Sequence, residues 1–488
     1  MSTDTIKRVG FVSLGCPKNL VDSEQMLATL VDAGYELVAD HDEADAIIIN
    51  TCGFLEASKE ESVEVINEAV ERKESGRVQR VVAAGCLVQR QRAKLLDWCP
   101  GIDAMIGVFD RDHIVDAMQP TPDPEENNMP HWIAANALLA ARARGIDDPV
   151  GYFEDDSNRL QLTPRHWAYL RVSEGCNQNC SFCTIPSIRG KMRSKPVDTI
   201  VSEAKKLLAS GVYELNLIGQ DTTSYGYDIA YESGLVGLLT ALNETVAAVG
   251  GGWIRLMYAY PTNFTDEMID AMASLPYVVP YIDIPLQHAT NSMLDSMRRH
   301  VSAELQLSLL DKIRTNIPGV AIRTTLITGF PGETEEDHNT LVDFVKQQRF
   351  TALGVFQYSQ ERGTVAGTME DDPSLRVPAE VKQQREEDLM LVQQEIAFNR
   401  AKQAAKDKET HPILIDEDLG QTGGKELHLY RGRTQHQAPD VDACTFLMAE
   451  QPQTIGSLVN CTIVDSNGYD MIARPTSELE RVVSLPLR

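Results

Sequence analysis

The chain has 488 residues, 43% hydrophobic and 24% charged, and its 45 basic and 71 acidic residues give a net charge of −26. That length suits about three domains, the composition is ordinary for a soluble globular protein, and nine cysteines are too few for a disulfide scaffold. So acidic a chain is repelled by nucleic acid unless it carries a local basic patch, and it attracts basic partners.

The N-terminus "MSTDTIKRVG" leads into a single apolar strand rather than a signal peptide. No stretch reaches the roughly 18 apolar residues of a membrane helix. These features predict a cytoplasmic protein with no membrane partner. Residues 1–119 form the first unit. "RVGFVSLG", "ADAIIIN" and "RVVAAG" are β-branched and bounded by turn residues, as buried parallel strands are. Helical stretches such as "VDSEQMLATLVDAG" separate them, so a doubly wound α/β domain is expected.

Residues 120–160 break this pattern. "TPDPEENNMP" and "GIDDPVGYFEDDSN" are acidic and rich in turn formers, and predict a partly mobile linker or insertion. Between them, "HWIAANALLAARARG" predicts one amphipathic helix. Over 161–400 the βα alternation returns. "HWAYLRV", "YELNLIG", "WIRLMYAY", "YIDIPL", "AIRTTLI" and "ALGVFQY" each precede a loop and helical sequence. Six βα units predict a partial TIM-type barrel with its chemistry at the strand C-terminal ends. A long helical stretch over 377–410 leads to residues 411–488. There "HPILID", "ELHLYRGRTQ" and "LVNCTIVDSNGYDMIARP" predict a small antiparallel β-barrel.

The densest chemistry is "EGCNQNCSFCTIPSIRG", directly after the first strand of the central unit. Cys176, Cys180 and Cys183 form a CxxxCxxC run, with the aromatic Phe182 before the last cysteine. Zinc wants a fourth Cys or His at short spacing, yet the next histidine is His288. An iron–sulfur cube usually takes four thiolates, so three leave one iron open or call on a fourth cysteine from elsewhere. "CNQNCSFC" resembles the CxxxCxΦC motif of the radical S-adenosylmethionine (SAM) superfamily. The resemblance implies that the three cysteines hold three irons of a [4Fe–4S] cluster. SAM chelates the fourth iron and is cleaved to a 5′-deoxyadenosyl radical. It also implies SAM contacts at the strand ends: Phe182 on the loop, Gln220 and Asp221 in "LIGQDTTSYG", and Gln287 in "IPLQHAT". "TGFPGET" and "FQYS" end the fifth and sixth strands. His288, taken alone, reads as a structural histidine.

Cys16, Cys52 and Cys86 are far apart, but "VSLGC", "IINTC" and "VAAGC" each place a cysteine just past an apolar strand. The C-terminal ends of parallel strands share one edge, where ligands bind. Three thiols can therefore converge there as a second metal site. Cys99, Cys444 and Cys461 show no such pattern and read as small buried hydrophobes.

An N-terminal cysteine triad, a radical-SAM triad and a C-terminal barrel together resemble the methylthiotransferases, over nearly the whole chain. The resemblance implies a C–H to C–SCH₃ conversion with two [4Fe–4S] clusters, a one-electron reductant, and a C-terminal TRAM barrel. "SLGCPKNLVDSE" resembles the RimO-type branch, which modifies an aspartate β-carbon in the twelfth protein of the small ribosomal subunit. The alternative MiaB-type branch modifies adenosine in transfer RNA and typically has a "GCQMN"-like segment there. Residues 411–488 carry 11 Asp or Glu and 6 Lys or Arg, net −5. That sign suits a basic protein better than RNA, and Asp440, Asp442, Asp465 and Asp470 are expected to dock it. A non-catalytic two-cluster electron carrier or sulfur scaffold is the remaining alternative, though a carrier needs no six-unit barrel.

Overall fold

The computed structural model describes residues 6–119, 129–146, 153, 156–421 and 427–480. The first sheet is wholly parallel. Its strands are β1 (Arg8–Ser13), β2 (Glu36–Val38), β3 (Ala46–Thr51), β4 (Arg80–Gly85), β5 (Ala104–Ile106) and β6 (His131–Trp132), in the order β2-β1-β3-β4-β5-β6. Every residue of β3 and β4 is buried. Ile47, Ile49, Val81 and Ala83 pack into one core, and Ile48, Val82 and Ala84 into the core on the opposite face. This two-sided burial is why these strands read as continuous apolar runs.

The segment expected as one helix over 131–145 divides differently. His131 and Trp132 extend the sheet alongside Met105 and Ile106. The helix begins only at Ala137 and ends at Ala143, and the Asn136 side chain caps it by accepting from the Leu139 N–H. A two-residue edge strand is too short to show the alternation that marks strands. Part of the expected linker thus completes the first sheet. "TPDPEENN" lies outside the described residues.

The second sheet contains β7 (Trp167–Arg171), β10 (Glu214–Ile218), β11 (Trp253–Leu256), β12 (Val278–Asp283), β13 (Ala321–Thr328) and β14 (Ala352–Gln357). All neighbours are parallel and follow chain order, and the sheet is open between β7 and β14. Leu215, Leu217, Ile254 and Leu256 face the outer helices and pack against Leu238, Leu242 and Met268. The inner face is aromatic and polar. Trp167, Tyr169, Trp253 and Tyr281 meet Val21 from the first unit and Leu414 and Ala438 from the last. Both flanking units therefore help to close the barrel interior. Between β7 and β10, an antiparallel ribbon of β8 (Ser173–Glu174) and β9 (Arg193–Ser194) brackets the three-cysteine loop.

The helix Ala379–Asp407 ends at Lys408 (φ 51°) and enters the C-terminal barrel. Strands β15 (Thr410–Gln421), β16 (His428–Arg433), β17 (Thr445–Ala449), β18 (Leu458–Asn467) and β19 (Asp470–Pro475) close in the order β15-β16-β17-β19-β18. One pair, β17 with β19, is parallel, so the expected all-antiparallel barrel holds for four of the five pairings. The barrel docks through buried charge. Arg433 meets Glu214 at 2.6 Å and Asp416 at 2.8 Å, and Asp416 also meets His166 at 2.8 Å. Asp442 accepts from the Tyr281 hydroxyl at 2.7 Å and from the Ala438 N–H at 2.8 Å. Asp442 is therefore an interdomain contact, not the free docking acid expected above. Asp470 accepts from the Cys444 N–H, while Asp440 and Asp465 are exposed.

Candidate active site

The three-cysteine loop leaves β8 through Gly175 (φ 79°). A Cβ there would stand 2.3 Å from the Lys191 carbonyl oxygen, so only glycine allows this crossing. The Cys176 N–H donates to the Gly190 carbonyl, and the Gln178 N–H points at Cys176 Sγ at 3.4 Å. Arg299 Nη1 reaches Cys180 Sγ at 3.4 Å, and the Tyr260 hydroxyl lies 4.0 Å from it. Burial pushes the Cys176 thiol up to about 11 and Cys183 up to about 12. Deprotonated thiolates need a compensating charge here, which a bound metal supplies. Phe182 packs against the cluster of Met293, Met297, Phe330 and Tyr358 and so anchors the loop.

The other expected contacts lie on the same rim. Asp221 takes hydrogen bonds from Gln178 Nε2 (2.9 Å), Thr223 Oγ1 (2.7 Å) and Ser224 Oγ (2.7 Å). It braces the cysteine loop with both carboxylate oxygens engaged. Gln220 Nε2 donates to Glu174 Oε1 at 3.0 Å. Gln287 adopts a strained φ of 74° and is held by backbone bonds to Thr325 and Ile327. His288 is fully engaged: Nδ1 accepts from the Ala289 N–H and Nε2 faces Glu333, as a structural histidine does.

Several buried polar atoms of the barrel have no hydrogen-bond partner among the described residues: Gln220 Oε1, Gln287 Oε1, Thr328 Oγ1 and the Tyr358 hydroxyl, and, at mid-strand in β10, both side-chain heteroatoms of Asn216. Each such group costs about 1–3 kcal/mol unless a bound polar molecule satisfies it. A co-substrate with amino, carboxylate and hydroxyl groups fits this donor and acceptor set. Asn216 and Arg299 were not apparent from the sequence. Asn216 sits within an apolar strand run, and Arg299 lies far along the chain from the cysteines.

The second triad sits at the C-terminal ends of β1, β3 and β4, on the shared edge. Cys16 caps the helix Pro17–Asp32, and Cys86 opens the helix Cys86–Gln91. Gly15 and Gly85 both have φ 94°. A Cβ on Gly15 would stand 2.9 Å from Cys52 Cβ, and one on Gly85 would stand 2.2 Å from Asn50 Oδ1. Asn19, also not apparent from sequence, pins the three loops together. Its Nδ2 donates to the Leu14 and Thr51 carbonyls, and its Oδ1 lies 3.3 Å from Cys86 Sγ. Burial raises Cys52 and pushes Cys86 up to about 12. Cys99 is buried in the core on one face of the first sheet, and Cys461 in the core of the C-terminal barrel.

Among the described residues, no set of three or more His, Cys, Asp or Glu is arranged to hold a single metal ion. Lone zinc would draw each thiolate to about 2.3 Å. Each triad offers three thiolates, and in a cube each thiolate has an iron of its own.

A buried ionic network joins the two triads. Arg189 reaches Cys86 Sγ at 3.2 Å, Glu174 at 2.9 Å and Asp22 at 2.9 Å. Arg171 reaches Asp22 at 2.6 Å and Glu174 at 2.7 Å, and it also pairs with Asp156. Lys195 bridges Asp156 and Glu203 at 2.8 and 2.7 Å. Burial opposes the charge of Glu174, but Arg189 and Arg171 outweigh it and hold this carboxyl well below the usual range. Burial likewise opposes the charge of Asp156, which Arg171 and Lys195 outweigh. Asp156 lies in the stretch expected as linker, yet it is fully buried.

The family described as uncharacterized protein family UPF0004 matches residues 8–107. The radical SAM superfamily matches 170–345, and the TRAM domain matches 409–475. The ribosomal protein uS12 methylthiotransferase RimO of Trichlorobacter lovleyi is 39% identical, over 98% of this chain and 100% of that protein. The RimO proteins of Geotalea uraniireducens and Symbiobacterium thermophilum are 40% and 39% identical, over 97% of this chain and 99% and 92% of theirs.

The chain belongs to the RimO family.

RimO-family membership makes it a radical-SAM methylthiotransferase, with an iron–sulfur cluster and SAM as the superfamily's cofactors. Among solved structures, a radical SAM methyltransferase, TsrM, from Kitasatospora setae superimposes with a TM-score of 0.51 at 16% identity, over 74% of this RimO-family chain and 77% of that one. That likeness concerns the fold alone. Among the described residues, no helix of the chain is long and apolar enough to cross a membrane.

Proposed function

We propose that this RimO-family chain adds a methylthio group to the β-carbon of an aspartate in ribosomal protein uS12, with two [4Fe–4S] clusters and SAM. The observation that carries the two-site reading is Arg189. One side chain touches Cys86 of the first triad and Glu174, two residues before Cys176 of the second. A reaction that joins a carbon radical to a sulfur source needs two centres held at fixed separation. Cys176, Cys180 and Cys183 would hold a cluster that, with SAM, would supply the radical chemistry, and Cys16, Cys52 and Cys86 would hold one that would supply sulfur.

The protein's own residues hold and shield this arrangement. Asp221 and Gln178 fix the cysteine loop to the rim. Arg299 sets positive charge against the Cys180 sulfur, and Gln220, Gln287 and Asn216 offer polar atoms to the co-substrate. Val21, Leu414 and Ala438 close the barrel interior against water. The working division is 1–119 for the sulfur-bearing unit, 161–400 for the radical core and 411–488 for docking. The exposed acids Asp440 and Asp465 suit a basic protein partner, and transfer RNA is the less suited one. The setting is the cytoplasm, where a one-electron reductant drives turnover.

The test is anaerobic turnover with uS12 and, separately, transfer RNA. One added SCH₂ unit on uS12 is expected. The same unit on transfer RNA and none on uS12 would overturn the assignment.

A further inference from the structure

Lys18 lies in the first turn of the helix Pro17–Asp32, two residues after Cys16, and is only 6% exposed. Its Nζ stands 3.2 Å from the centroid of the Tyr258 ring. Among the described residues, no carboxylate lies within ion-pair distance of it. The carboxylates around it are already committed. Asp283 holds Arg323 at 2.9 Å and the Tyr258 N–H at 3.1 Å, and Glu174 holds Arg171 and Arg189. The neighbouring cations are committed as well. Arg189 and Arg171 serve Asp22 and Glu174, and Arg299 serves Cys180 and the Pro285 carbonyl. Buried charges in proteins are normally paired. The nearest group to the Lys18 ammonium is a ring face, which compensates it less fully than a paired carboxylate; the Cys16 sulfur, Glu174 and Asp283 favour its charge from beyond ion-pair distance, against the cost of burial.

The ring under Lys18 belongs to the active-site rim. Tyr258 follows β11 with φ 60°, and its carbonyl accepts from both Thr222 N and Thr222 Oγ1 at 3.1 Å. Thr222 adjoins Asp221, the brace of the three-cysteine loop. Lys18 thus lies buried between the Cys16 loop and the barrel rim, its amine against the Tyr258 ring, and a substrate carbon that meets both centres would come between these two loops. An aspartate with its β-carbon there brings its carboxylate one bond away into a site shielded from water. That anion needs a counter-charge.

We infer that Lys18 receives the side-chain carboxylate of the target aspartate, fixes which carbon is presented, and selects aspartate over asparagine. The inference rests on the proposed function, and the experiment separates the two. Reconstituted holoenzyme is titrated anaerobically with fluorescently labelled full-length uS12 carrying either Asp or Asn at the target position. Wild type, Lys18→Met and Lys18→Arg are compared, with iron content as the control for intact clusters. Wild type should bind the Asp form about 10- to 100-fold more tightly than the Asn form, the range for a charge-assisted pair. Lys18→Met should reduce that ratio to under about threefold by weakening the Asp form, since the pair is then absent. Lys18→Arg should restore part of the ratio, and this arm decides the matter if the Met variant loses iron. A wild type that binds both forms equally, or a Met or Arg variant that departs from this pattern with full iron content, overturns the inference. If wild type leaves the Asp form of uS12 unmodified, the proposed function itself fails.

Discussion

Arg189→Met removes the side chain that ties the two cysteine triads together. The Arg189 side chain is 2% exposed, and its guanidinium meets Asp22 and Glu174 at 2.9 Å each. Removing one partner of a buried pair costs about 3–5 kcal/mol, because the charge left behind is uncompensated. Arg171 already serves the same two carboxylates at 2.6 and 2.7 Å, so the lower end, about 3 kcal/mol, is expected. The assay is urea unfolding of the metal-free protein, followed by far-ultraviolet circular dichroism and by tryptophan fluorescence. pH gives the loss a signature. Glu174 has a depressed folded-state pKa, so its stabilisation is complete above its unfolded value of about 4.3 and is lost as pH falls through the folded value. The gap between wild type and variant should be full at about pH 7 and should narrow below about pH 4.3. A loss under about 1 kcal/mol, the size of an exposed pair, would refute the reasoning. So would a gap that does not depend on pH.

Gly175→Ala forces a Cβ to within 2.3 Å of the Lys191 carbonyl at φ 79°. About half the iron of the reconstituted protein should be lost, read by iron assay, because only the central triad is displaced. Replacing Cys16, Cys52 and Cys86 together with Ala should likewise leave about four irons. Reductive SAM cleavage should survive in that variant while methylthio product disappears, as chromatography of 5′-deoxyadenosine and mass analysis of uS12 would show. Asp440→Lys, at an exposed site with a left-handed backbone (φ 64°), should raise the KM for uS12 and flatten its salt dependence at only a small loss of stability. Asp442→Lys should instead lower the thermal midpoint, because it breaks the Tyr281 hydrogen bond and places a cation beside Arg323.

Sequence alone determined the three architectures and singled out the two sets of three cysteines as candidate cluster ligands. Apolar runs ending in "GC" or "TC" report strand ends directly, since buried parallel strands must be continuous and apolar. The CxxxCxxC spacing is local, so no tertiary information was needed to see it. Tertiary structure decided what joins these parts. Asn19, Arg171, Arg189 and Asp156 look like ordinary helix, strand and linker residues until folding buries them against partners as far as 170 positions away, as with Arg189 and Asn19. His131 and Trp132 were hidden because an edge strand of two residues has no period to read. Asp442 carried the right charge for docking and the wrong location, buried against Tyr281. Local pattern encodes what a residue's neighbours in sequence require. Charge compensation in a buried interface depends on which distant groups arrive together, and only the packed chain settles that.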